Sequence, residues 1–148
     1  MGRSRLALAC LLLGLSGCTN PFGSREERQL REAEARWKSH NIADYTFEMR
    51  TTCFCPPEMY EWAVVEVRGG LVASARSLTG EALTGFSLTS RKTVDQLFDA
   101  VRPPYQDWVG RVDFDFDRDL GYPLRLQLDG KPNIADAGVV YEARSLRR

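Results

Sequence analysis

From Tyr45 the chain alternates apolar and polar side chains with a period of two, Tyr45, Phe47 and Met49 standing between Thr46, Glu48 and Arg50. Successive side chains of a strand point to opposite faces, so such a segment belongs in a sheet with one covered and one wet face. The same period returns at Val112, Phe114 and Phe116, and again at Leu124, Leu126 and Leu128. Tyr60 to Val67 is rich in β formers and runs to Gly69-Gly70, a pair that can adopt the positive φ angles a two-residue hairpin demands. Leu71 to Ser77 is then its partner strand, and a final strand is expected around Val139 to Ala143.

Two segments switch to helical spacing. Ser24-x-x-Glu27 is a capping-box pattern, and the segment through Ser39 carries Leu30, Ala33 and Trp37 as a narrow apolar stripe among charges. Thr93-x-x-Gln96 is a second capping box, followed by Val94, Leu97, Phe98 and Val101 at i, i+3, i+4 and i+7, with Pro103-Pro104 as the stop. Residues 78–90 show no sustained period and read as an irregular or weakly stranded loop. The expected fold class is therefore α+β: an N-terminal helix, an antiparallel sheet of about five to six strands covered on one face, and one short helix between two β groups. With 148 residues, 43% hydrophobic, the chain fits one globular domain over residues 25–148.

The first residues read as an address. Arg3 and Arg5 precede an apolar run, Leu6 to Leu15, that is about half the roughly 20 residues a membrane span needs. It closes on Leu15-Ser16-Gly17-Cys18, which resembles the lipobox at which bacterial lipoproteins are lipidated on cysteine and then cleaved before it. Residues 1–17 are then a lipoprotein signal peptide, Cys18 the lipidation site and residues 18–24 a short tether. This places the protein in the cell envelope with the membrane as its partner through the lipid. Thr19, rather than aspartate, resembles the pattern sorted to the outer membrane in a Gram-negative cell. Loss of Arg3 and Arg5 takes 20 basic residues to 18 against 20 acidic ones, and this balance argues against nucleic acid as a partner.

Cys53 and Cys55 are the remaining cysteines beyond the leader and Cys18. Outside the cytoplasm a disulfide between them is the leading expectation. In an extended strand their Cα atoms would lie about 6.6 Å apart, near the upper limit for a bridge, so a local bend is required, and Pro56-Pro57 can supply it. Separate thiols, a redox pair and a metal site are the alternatives. A closed zinc site wants four ligands, and His40 is the one histidine, so neither a metal site nor a cofactor is expected.

Asp113, Asp115, Asp117 and Asp119 recur at every second position. A calcium loop needs glycine at its sixth position and glutamate at its twelfth, where this chain has Arg118 and Leu124. The interleaved Val112, Phe114 and Phe116 instead place the acids on the solvent face of a strand, with Arg125 expected opposite Asp115. A weak cation site is the second reading.

Taken together, Ile42-x-x-Tyr45-x-Phe47, Cys53-Phe54-Cys55, Val65-x-Val67-Arg68-Gly69-Gly70, Thr93-Val94-x-x-Leu97-Phe98 and Asp117-x-x-Leu120-Gly121-Tyr122-Pro123 resemble an uncharacterised bacterial lipoprotein family, a domain of unknown function. The resemblance covers about residues 30–143. In similar sequences an aspartate follows the Gly-Tyr-Pro strand; Asp136 matches it, while the acidic residue usual just after it is replaced by Ala137. Turn geometry is the first reading of Gly121-Tyr122-Pro123. A ligand-contacting site built on Asp117, Tyr122 and Asp136 is the second.

No nucleophile motif, phosphate loop or acid and base pair emerges, so no catalytic residue is assigned and an enzyme is not expected. The leading expectation is a membrane-tethered accessory or binding domain with an envelope protein or ligand as partner. The alternatives are a passive structural or stress-related envelope protein with a disulfide staple, or a weak metal-binding or thiol redox protein. A binding module should show an exposed apolar or aromatic patch, with Tyr105 and Trp108 as candidates and packing under the second helix as their plainer reading.

Overall fold

The structure, a computed structural model, describes residues 24–102, 107–134 and 136–148. The leader, the lipobox with Cys18, the tether up to residue 23, Pro103-Pro104 and Tyr105 lie outside the described residues. The described elements run α1 (Ser24–Ser39), β1 (Tyr45–Cys53), β2 (Ala63–Arg68), β3 (Leu71–Ser77), α2 (Gly85–Thr89), α3 (Val94–Asp99), β4 (Val109–Phe116), β5 (Pro123–Gly130) and β6 (Gly138–Arg147), with a 3-10 turn at Pro57–Met59. The class is α+β. All six strands join one antiparallel sheet in the order β3-β2-β1-β6-β5-β4. Two three-stranded meanders are thus joined along β1 and β6, the first and last of the described strands.

The alternation in β1 buries Tyr45, Phe47, Met49 and Thr51 on one face and leaves Thr46, Glu48 and Arg50 half-buried on the other. The helices cover the first face. Ala33 and Trp37 of α1 pack there, Trp37 meeting Tyr45 edge-on at 5.4 Å. In α3 the expected Val94, Leu97 and Phe98 are buried, as is Val101 in the turn just beyond it. Its capping box is reciprocal, Gln96 N–H donating to Thr93 Oγ1 and Thr93 N–H to Gln96 Oε1. The Val94 N–H donates to the Tyr45 hydroxyl at 2.9 Å, fastening the start of α3 to β1. Burial pushes the Tyr45 pKa up to about 12.

The opposite face is lined by cross-strand charge pairs. Arg144 donates to Glu48 at 2.7 Å and Arg50 to Glu142 at 2.6 Å. Trp62 lies beneath both guanidinium groups, 4.9 Å from Arg50 and 4.0 Å from Arg144. Asp113 and Asp115 are exposed as the strand pattern requires, and Asp115 does pair in register with Arg125. The Arg125 side chain turns away, donating to Gln127 at 2.7 Å and lying 3.9 Å from Glu142.

Four expectations need correction. Residues 78–90, which carry the weak strand character expected in a single bridge from Arg76 to Ala82, also contain the one-turn helix α2, so two short helices, and not one, separate the β groups. The strand expected from Tyr60 begins only at Ala63, because Pro57 opens the 3-10 turn and Met59 is drawn into the core. The last strand runs from Gly138 to Arg147, passing an irregularity at Ser145, where φ is 58°. In α1, Glu34 joins the buried side of the stripe because Arg102 and Lys38 bind its carboxylate.

Candidate functional site

At the end of β1 the chain bends as its two prolines require. The Cα atoms of Cys53 and Cys55 lie 5.2 Å apart, closer than an extended strand allows, and their sulfurs are bonded. Beyond them Pro57–Met59 forms the 3-10 turn, with Met59 as a buried plug. Tyr60 reaches back to donate from its hydroxyl to the Cys53 carbonyl at 2.6 Å. Arg91, itself buried, donates to the Glu58 carbonyl at 3.2 Å, to the Met49 carbonyl and to the Ser87 carbonyl. Desolvation lowers the pKa of that guanidinium. The disulfide and the Tyr60 hydrogen bond hold the hoop from Cys53 to Cys55 directly, and Met59 and Arg91 anchor the turn that follows it.

What the hoop presents is Phe54, 89% exposed. Full burial of a phenylalanine is worth about 1.5–3 kcal/mol, which this fold forgoes. Beside it, the connection between β5 and β6 carries Ile134, 39% exposed, across a shallow open groove of about 580 Å³ whose wall also includes Thr52, Lys131, Pro132 and Asp136. That connection is pinned. The Lys131 N–H donates to the Trp108 carbonyl at 2.9 Å, and its ammonium donates to the Asp107 carbonyl. Asp136 adopts a positive φ of 56°, the left-handed conformation that aspartate tolerates better than most residues.

The candidate residues divide between the two ends of the sheet. Cys53 and Asp136 line the groove just described, and Cys55 is bonded to Cys53 beside it. Asp117 and Tyr122 lie at the far end of β5, an eight-residue strand and so about 25 Å away. There the Asp117 carboxylate accepts from the N–H groups of Asp119 and Leu120, closing the turn into Gly121. Tyr122 is in the core, its pKa raised by burial and by the neighbouring Asp117. Gly121 has a φ of 83° and lies against α1; a Cβ there would collide with the Ala33 carbonyl oxygen. Trp108 is half-buried against the cluster of Val109, Val112, Leu126 and Leu128. Among the described residues no three His, Cys, Asp or Glu side chains gather as a metal site.

A family model matches residues 29–148, from within α1 through all six strands. The chain belongs to the family of unknown function DUF6174. No curated protein and no solved structure matches it. Both the Cys-x-Cys hoop and the Gly-Tyr-Pro turn fall inside the DUF6174 region, while residues 1–28 precede it.

Sequence reasoning missed Phe54, Ile134 and Arg91. For Phe54 a signal existed: residues i and i+2 of a strand share a face, so two bridged cysteines turn the residue between them to the other side. Arg91 stands beside a capping box without any pattern of its own, and its burial follows from tertiary contacts alone.

Proposed function

We propose that this chain is a lipid-anchored protein of the bacterial cell envelope, tethered through Cys18, whose folded domain is a binding module for an envelope protein. The tether rests on the leader, Leu15-Ser16-Gly17-Cys18 above all, and Thr19 favours the outer membrane, facing the periplasm, in a Gram-negative cell. The observation that carries the binding role is Phe54, exposed on a hoop closed by a disulfide and a hydrogen bond from Tyr60, with the turn after it held by the buried Arg91. An aromatic anchor held in place before contact loses little conformational freedom on docking, which is how a single side chain comes to dominate an interface. A passive domain gains nothing from that arrangement.

The test uses the native protein from its own membranes, carrying a photo-crosslinker at Thr52 with either Phe54 or Phe54→Ala. A discrete crosslinked species present with Phe54 and lost with Phe54→Ala is the expected result. Equal crosslinking in both, or none in either, overturns the binding role. Intact-mass analysis of the same material addresses the tether separately: an acylated Cys18 is expected at the amino terminus, and an unmodified Met1 on protein from the soluble interior overturns it.

A further inference from the structure

A second cavity, of about 480 Å³, opens between α3 and the strands β5 and β6 and shares no lining residue with the Phe54 groove. Its deep part is apolar, made by the buried Leu128 and Ala100. Two half-buried aromatic residues, Trp108 and Tyr141, supply ring surfaces. The volume is within the roughly 300–1,000 Å³ of small-molecule sites, and the lining combines aliphatic and aromatic surface with the side chains of Lys92, Gln96, Asp99 and Arg102.

Those polar groups differ in what they have left to offer. Arg102 is already engaged, one nitrogen donating to Asp99 at 2.6 Å and another to Glu34. This pairing also occupies the Asp99 carboxylate. Gln96 uses its Oε1 to accept from Thr93 N–H, which orients the amide and leaves its NH2 group as a donor. Lys92 is half-buried with its ammonium 5.7 Å from the centre of the Tyr141 ring, and among the described residues no carboxylate pairs with it. Donors and one positive charge therefore stand beside aromatic and aliphatic surface.

We propose that this cavity binds a small planar aromatic carboxylate, with its ring against Trp108 and Tyr141 and its anion on the Lys92 ammonium and the Gln96 amide. Charge-assisted hydrogen bonds are about twice as strong as neutral ones, so removal of either charge should weaken binding at least tenfold. Asp99 also lines the cavity, and its ion pair with Arg102 offsets the repulsion its charge would exert on the carboxylate of the ligand.

The experiment titrates the full chain, in lipid nanodiscs, with 2-naphthoate by isothermal calorimetry, against empty nanodiscs as the blank. Submillimolar binding to the wild type is expected, at least tenfold weaker for the neutral 2-naphthamide and at least tenfold weaker in Lys92→Gln. Lys92→Arg should restore affinity to within about threefold. Absence of 2-naphthoate binding, a preference for acid over amide below threefold, or affinity that Lys92→Gln leaves within threefold of wild type overturns the proposal. The comparison of acid with amide needs no variant, so it stands even where a substitution disturbs the fold.

Discussion

Replacing Gly121 with alanine imposes two costs, one in its own backbone and one in the helix above it. The residue sits at φ +83°, where a side chain costs about 1–2 kcal/mol. Its added Cβ would meet the Ala33 carbonyl oxygen and would come within 3.0 Å of Arg36 Cβ and 3.1 Å of the Trp37 nitrogen. Two of those three atoms are backbone in a helix whose Trp37 is buried, so relief requires moving α1 off the sheet. Overpacking of this kind costs about 1–3 kcal/mol. Gly70→Ala is the internal control: its φ of +77° is nearly the same, but no atom lies within 4 Å of the added Cβ. Effects on the unfolded chain are common to both substitutions and cancel in the comparison. Urea denaturation should therefore find Gly121→Ala less stable than Gly70→Ala by about 2 kcal/mol, at equal m-values. A difference under about 0.5 kcal/mol would refute the reasoning, and with it the close approach of Gly121 to α1.

Three further outcomes follow from buried polar groups. Because burial raises the Tyr45 hydroxyl from 10.0 to about 12, its folded form holds the proton more tightly than the unfolded chain. That contribution is complete below pH 10 and is lost as pH rises toward 12, about 3 kcal/mol in all, so alkaline denaturation of Tyr45→Phe should lack this part of the slope. For Glu34, burial raises the pKa, but hydrogen bonds from Arg102 and Lys38 outweigh it and the net shift is downward. Its stabilisation is present above the ordinary value of 4.5 and declines as pH falls through the depressed folded value; Glu34→Gln should cost about 2 kcal/mol at pH 7 and flatten the acid limb measured by circular dichroism. Arg91→Met keeps much of the apolar stem but strips donors from three carbonyls, so a loss of about 3 kcal/mol is expected in chemical denaturation.

What the sequence made legible was local. Alternation placed Tyr45, Phe47 and Met49 on the covered face, two glycines at φ +57° and +77° closed the hairpin, and the Thr93 capping box began α3. Each depends on residues a few positions apart. The helix Gly85–Thr89 is one turn long and has no buried residue, so it leaves no periodic trace. Tyr60 to Trp62 carries β formers, yet the Tyr60 hydroxyl is held by the Cys53 carbonyl and β2 starts one residue after Trp62. In the candidate site, the bend between Cys53 and Cys55 was legible from two prolines. The nearness of Asp136 to that bend was not, because it follows from where β6 pairs.

The seam between β1 and β6 carries one more consequence. Glu48 and Arg144 stand 96 positions apart in the chain yet form one ion pair. As the polypeptide is made, each half can assemble by turning back on itself, but the two halves cannot be stitched until the final strand emerges. Contacts of such wide sequence separation slow folding. A ribosome that stopped before Gly138 would release a pair of half-sheets, each with a bare inner margin open to any passing strand.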